Sequence, residues 1–219
     1  MIPAARFKMD NRDMQPRVKT GVLRHLRRFA IDGRGVAAVE FAYIAPLLIV
    51  ALFGTIEVSR AVMMHKRFQR VSAMIGDLVS REQSIGAGAG QAAAVLNGMM
   101  LSANQVMFPF SATSLKIEVN SVRAKSNDAN QTRSEWTYKS DVKTASSTCA
   151  NKVIPTGLLS AGNTAIVVDA SYTYTPMVSR LIPGFKSAMT WTDTITHSPR
   201  RASCVGFEGN NCGSLCPGW

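Results

Sequence analysis

The chain has 219 residues, 46% of them apolar, which excludes a disordered polymer and allows one globular domain plus an anchor. Its 25 Lys and Arg against 14 Asp and Glu give a formal charge of +11, a balance that would suit a nucleic-acid partner if it were spread over one face. Instead nine basic residues (Arg6, Lys8, Arg12, Arg17, Lys19, Arg24, Arg27, Arg28 and Arg34) lie within residues 1–35 beside only Asp10, Asp13 and Asp32, and no RNA- or DNA-binding signature accompanies them.

The first predicted element follows directly on this basic arm. From Phe41 to Ile56 the sequence carries no charge; these 16 residues make about 24 Å of helix, short of a hydrocarbon core of about 30 Å. Adding Val36 to Glu40 brings the length to about 31 Å, so a full span places Glu40 in its first turns. Lys and Arg beside a span hold that end in the cytoplasm, because their transfer across the bilayer is unfavourable and anionic lipids attract them. A carboxylate inside the membrane is costly and calls for a partner. Pro46 removes one backbone hydrogen bond from the span and is expected to kink it.

Gly35 stands five positions ahead of Glu40, between the basic arm and the apolar helix. This arrangement resembles the type IV prepilin processing site. In that family a membrane aspartyl peptidase cuts after the glycine and leaves a glutamate as the fifth mature residue. The resemblance implies that Gly35 precedes the cut, Val36 carries the new amine, and Glu40 is the acidic mark that pairs with a neighbour's amine. The wider run GVAAVEFAYIAPLLIVALFGTIEVSRAV, with a proline inside the span and Gly54, Ile56 and Glu57 at its exit, resembles the TadE-like group of the tight-adherence (Flp) pilus machinery. That likeness implies a minor pseudopilin of the bacterial inner membrane. Its partners would be membrane lipid, a prepilin peptidase, other pseudopilins and pilus assembly proteins, with no nucleic acid and no cofactor. The 35-residue leader is long for such a protein. A secretory signal peptide cut near Ala61 and an uncut signal anchor are the competing readings of the same segment.

Beyond the span, Met64, Phe68, Val71, Ile75 and Leu78 recur at spacings of four and three, so the helix should continue to about Arg81, with Asp77 paired to Arg81 on its polar side. The GAGAG run at 86–90 lacks the Gly-Lys-Ser/Thr of a phosphate loop and reads as a flexible break. Ala92 to Ser102 is a short helix. Period-two segments rich in Thr, Val, Ile, Tyr and Trp follow at Leu115–Val122, Glu135–Lys139, Thr164–Tyr174 and Met189–Thr196. Helix first and hairpins later predicts an α+β fold: a long N-terminal transmembrane helix extended into the periplasm and packed on a small antiparallel sheet, the layout of pilins. The expected organisation is a basic cytoplasmic leader (1–35), the membrane helix (36–58), a helical segment with a Gly-rich break (59–103), a sheet domain (104–203) and a Cys/Gly-rich tail (204–219).

All four cysteines, Cys149, Cys204, Cys212 and Cys216, follow the span, where an oxidising periplasm permits disulfides. Of three connectivities, Cys212 with Cys216 and Cys149 with Cys204 is preferred, because the nearest pair closes the tail and the other ties it to the sheet. Zinc is disfavoured by the loose spacing and by His197 being the one nearby imidazole. His25, His65 and His197 are scattered, Asp169 and Asp193 read as exposed strand residues, and no Walker, His-Glu-x-x-His or Gly-x-Ser-x-Gly motif occurs. The expected role is therefore structural and not enzymatic. A membrane-tethered periplasmic binding module or adhesin, outside any filament, is the alternative.

Overall fold

A computed structural model describes residues 35–177, 179 and 188–218; residues 1–34, with the nine cations of the basic leader and His25, lie outside them. By internal contacts the chain divides into residues 1–52 and residues 53–219.

Helix α1 runs from Val36 to Ser80, close to the expected end, and is followed by the two-residue strand β1 (Ser84–Ile85), helix α2 (Gln91–Met107) and strands β2 (Leu115–Lys125), β3 (Asp128–Lys139), β4 (Thr144–Asn151), β5 (Thr164–Tyr174), β6 (Met189–His197) and β7 (Gly206–Phe207). The five long strands form one antiparallel sheet in the order β4-β3-β2-β5-β6. The fold is thus α+β, with a long apolar N-terminal helix packed on an antiparallel sheet.

The packing follows from two periodicities. Along β5 every second residue (Ile166, Val168, Ala170, Tyr172 and Tyr174) is buried, and register sets Val119 of β2 against Val168 and Tyr138 of β3 against Val119. Onto this face α1 lays the predicted stripe: Met64, Phe68, Val71 and Ile75 are buried, Leu78 is half-buried, and Val79 takes over the last turn. Gly76 permits the close approach: a Cβ there would stand 2.3 Å from the His197 ring and 3.2 Å from Val168. On the polar side Asp77 pairs with Arg81, as the spacing predicted, and also with Arg200 at 2.6 Å.

Several features differ from the sequence reading, among them the short strands β1 and β7, which were not expected. The second helix is longer than Ala92–Ser102 and reaches Met107. Strand β4 was not expected, because its sequence TASSTCAN has no apolar alternation; it forms as an exposed edge through backbone pairing with β3. The glycine run is a tight turn: Gly86 and Gly90 adopt φ of 74° and 77°, and the turn joins β1 to α2.

The disulfide pairing is a correction. Cys149 is joined to Cys216 and Cys204 to Cys212, with Cα separations of 5.6 and 5.8 Å, instead of Cys149 to Cys204 and Cys212 to Cys216. Cys204 precedes Val205 and Phe207, both buried in the core, where the Trp136 indole donates to the Val205 carbonyl (3.0 Å) and stacks on Phe207. The Phe207–Asn210 turn then folds the chain back over Cys204, bringing Cys212 to it. At the other end, a bulge between β3 and β4 leaves Cys149 unopposed with φ of 47°, and its sulfur meets the end of the tail at Cys216.

Candidate functional site: the apolar half of α1 and the collar at Glu57

The first half of α1 has a surface that water does not suit. Phe41, Tyr43 and Leu47 are 65%, 82% and 69% exposed, and the most apolar 18-residue window of the helix, of mean hydropathy 2.3, has none of its residues buried. Soluble monomers rarely expose so large a continuous apolar surface. From Val36 to Val58 the helix is about 34 Å long, enough for a hydrocarbon core of about 30 Å. Glu40, exposed, is the fifth residue of this helix, and Pro46 lies inside it with the helix continuing on either side. Gly35 stands just ahead of the helix, is exposed, and would have no atom within 4 Å of an added Cβ. Its φ is not in the left-handed region, so the fold itself makes no demand for glycine at 35.

At the exit of this segment a polar collar begins. The Glu57 carboxylate accepts a hydrogen bond from the Tyr174 hydroxyl at the end of β5 and another, at 3.1 Å, from the Met177 backbone N–H. Burial, followed by the hydrogen bond and the charge of Glu57, pushes the Tyr174 hydroxyl up to about 12, while Arg60 acts the other way. Tyr174 stacks on Trp191 at 5.3 Å; Trp191 stacks in turn on Tyr172 and meets the His65 ring edge-on at 5.0 Å. Arg60 and Arg67 both reach the Phe110 ring, 5.7 and 5.9 Å from its centroid. Arg67 also donates to the carbonyls of Val106 (2.9 Å) and Phe108, satisfying the C-terminal end of α2. Charged and aromatic groups of α1 therefore take up loose ends of β5, β6 and α2 within about three helical turns of the exit.

The tail makes a second set of ties. Glu208 accepts hydrogen bonds from the N–H groups of Gly90 (2.8 Å) and Ala92 (3.4 Å), so the N-terminus of α2 is capped from 116 to 118 residues away. Glu135, 2% exposed in the β3 bulge, pairs with Arg123 at 3.3 Å and accepts from the Gly213 N–H at 3.1 Å. Burial raises the pKa of the Tyr138 hydroxyl, which donates to Asn97 of α2 at 2.7 Å.

The two strand carboxylates, Asp169 and Asp193, do not converge. Asp169 sits opposite Thr194 and Asp193 opposite Ala170, so the two carboxylates point to opposite faces of the sheet; Asp169 is engaged by Lys152 at 2.5 Å and by Thr194 at 2.8 Å. Among the described residues, no group of three or more His, Cys, Asp or Glu side chains could hold a metal ion. The structure brings Glu57, Tyr174 and Trp191 together, residues to which the sequence reading gave no role. The signal for Glu57 was present as the first charge after 16 uncharged residues, but its partners lie more than a hundred residues away.

The fold and the exposed helix define a single-pass membrane protein whose anchor runs on into a helix-on-sheet domain. Residues 35–76 match the family model described as TadE-like protein, in agreement with the resemblance read from the sequence. The match takes in most of α1, the apolar half and the part that packs on the sheet. No curated protein and no solved structure matches the chain.

Proposed function

We propose that this protein is a minor pseudopilin of the tight-adherence (Flp) pilus machinery. It is anchored in the bacterial inner membrane with its N-terminus cytoplasmic and its domain periplasmic, and it acts as a structural component. The observation that carries the proposal is the register of Gly35, Val36 and Glu40 at the start of an exposed apolar helix, inside the matched segment 35–76. A prepilin peptidase cutting after Gly35 would leave the Val36 amine at the helix N-terminus and keep the span. Glu40, about 6 Å along the axis, is then available to a neighbouring subunit's amine, a pairing that offsets the cost of a carboxylate in lipid. Two disulfides suit a periplasmic domain.

N-terminal sequencing of the membrane-extracted protein tests the proposal. The expected mature chain begins at Val36, and Gly35→Leu should abolish the cut without unfolding the protein, because the position is open. Glu40→Gln should insert normally and reduce pilus assembly. A mature chain starting near Val62, or normal piliation by both variants, would overturn the mechanism.

A further inference from the structure

Around Glu57 the domain presents apolar side chains that its own core leaves uncovered. Met177 is 49% exposed, Met189 43% and Val58 64%. Their level is defined by hydrogen bonds: the Met177 N–H is 3.1 Å from the Glu57 carboxylate, and Met189 stands directly across the sheet from Tyr174, whose hydroxyl donates to that same carboxylate. Glu57 is also the first charged residue after the uncharged run Phe41–Ile56, the last turn of which belongs to the same compact unit as the domain. If that run fills the hydrocarbon, its boundary falls at Glu57; Met177, hydrogen-bonded to Glu57, lies at that boundary, and Met189 is one strand away from Tyr174, whose side chain reaches Glu57. Arg60, the next cation, is about 4.5 Å further along the helix axis, inside a headgroup layer of about 5–7 Å on each side of the bilayer. Tyr174, whose hydroxyl reaches Glu57, has the amphipathic aromatic chemistry that collects at membrane interfaces.

We infer that this rim is a lipid-docking surface: Val58, Met177 and Met189 seat in the acyl-headgroup boundary of the leaflet from which α1 emerges, with Arg60 at the level of the lipid phosphates. The inference rests on α1 spanning a membrane, and it adds that the domain itself lies on the bilayer. Continuity with the span selects lipid as the occupant. Ile56 (48% exposed) and Val58 carry exposed apolar surface along the helix on either side of Glu57, whose hydrogen-bond partners are Met177 itself and Tyr174, the residue that faces Met189 across the sheet. Docking at this second point would fix the height and tilt of the sheet relative to the membrane and would keep the Glu57–Tyr174 hydrogen bond out of bulk water. Phe108 is also exposed, but it is tied to Arg67, about 15 Å further along α1, and is not part of the rim.

The test uses the full chain in native membrane vesicles, with a photoreactive diazirine amino acid placed singly at position 177, 189, 48 or 101. Leu48 lies within the uncharged run and Leu101 is exposed on α2, on the domain. The expected result is lipid adducts at 48, 177 and 189 and none above background at 101. Lipid adducts at 48 together with none at 177 and 189, or with protein adducts at 177 and 189 in their place, would overturn the docking surface while leaving the span intact. Failure of position 48 to label lipid would overturn the span, and the docking surface with it.

Discussion

The bridge between Cys149 and Cys216 closes a loop of 67 residues that contains β5, β6 and β7. On the chain-entropy relation such a closure removes about 15 cal/mol/K from the unfolded ensemble, or about 4.4 kcal/mol at 25 °C; the same relation applied to the 8-residue separation of Cys204 and Cys212 yields about 2.5 kcal/mol. The double variant Cys149→Ala/Cys216→Ala should therefore lose more stability than Cys204→Ala/Cys212→Ala, and a loss of about 4 kcal/mol is a large part of a typical domain's 5–15 kcal/mol. Urea unfolding in detergent, followed by tryptophan fluorescence, measures both. Trp136 is a suitable reporter because it is fully buried and stacked on Phe207 beside the tail. A lower midpoint with a slope that is unchanged or steeper is the expected form, since opening the loop lets the unfolded chain expand. Peptide mapping without reductant checks the premise. A Cys149–Cys204 link, or a larger loss from the short bridge than from the long one, would refute the reasoning.

Other perturbations probe individual contacts. Gly76→Ala should cost about 1–3 kcal/mol by overpacking, since its methyl group meets the His197 ring and Val168; denaturant midpoints would show it, and an unchanged midpoint would mean that α1 lies further from β6. Glu208→Ala should cost about 1 kcal/mol and loosen the first turn of α2, visible as faster amide hydrogen exchange at Ala92 and its neighbours while β2 and β5 stay protected. Tyr174 has a hydroxyl raised from 10.0 to about 12, so the fold favours its neutral form: that contribution is complete below about pH 10 and is lost as pH rises through about 12. Tyr174→Phe should therefore flatten stability against pH in that window; an unchanged alkaline slope would remove the Glu57 contact from the account.

Residues 36–80 were the most legible, and for one physical reason. A helix repeats every 3.6 residues, so the stripe Met64, Phe68, Val71, Ile75 announces a buried face from local spacing alone, and sixteen uncharged residues announce a solvent other than water. Strands β2, β3, β5 and β6 were legible to the extent that their β-branched and aromatic residues alternate. Strand β4 was not, because an edge strand with both sides polar is specified by its neighbour's backbone and not by its own side chains. Short strands β1 and β7 were hidden likewise: each consists of two residues, and parallel pairing of Ser84 with Gly206 joins segments 122 residues apart.

Of the candidate site, the sequence by itself determined the apolar helix, the Gly35–Val36–Glu40 register and the presence of four cysteines beyond the span, since each is a matter of composition or of spacing along one segment. Tertiary structure alone decided which cysteines join, that Glu57 holds Tyr174 and Met177, that Glu208 caps α2, and that Gly76 admits His197. These contacts connect residues from 67 to 121 positions apart, except for the short Cys204–Cys212 bridge. Their partners are chosen by where the sheet order β4-β3-β2-β5-β6 and the bulge at Glu135 and Cys149 place the strand ends, and sheet order is set by the packing energy of the whole core, which no local window of sequence contains.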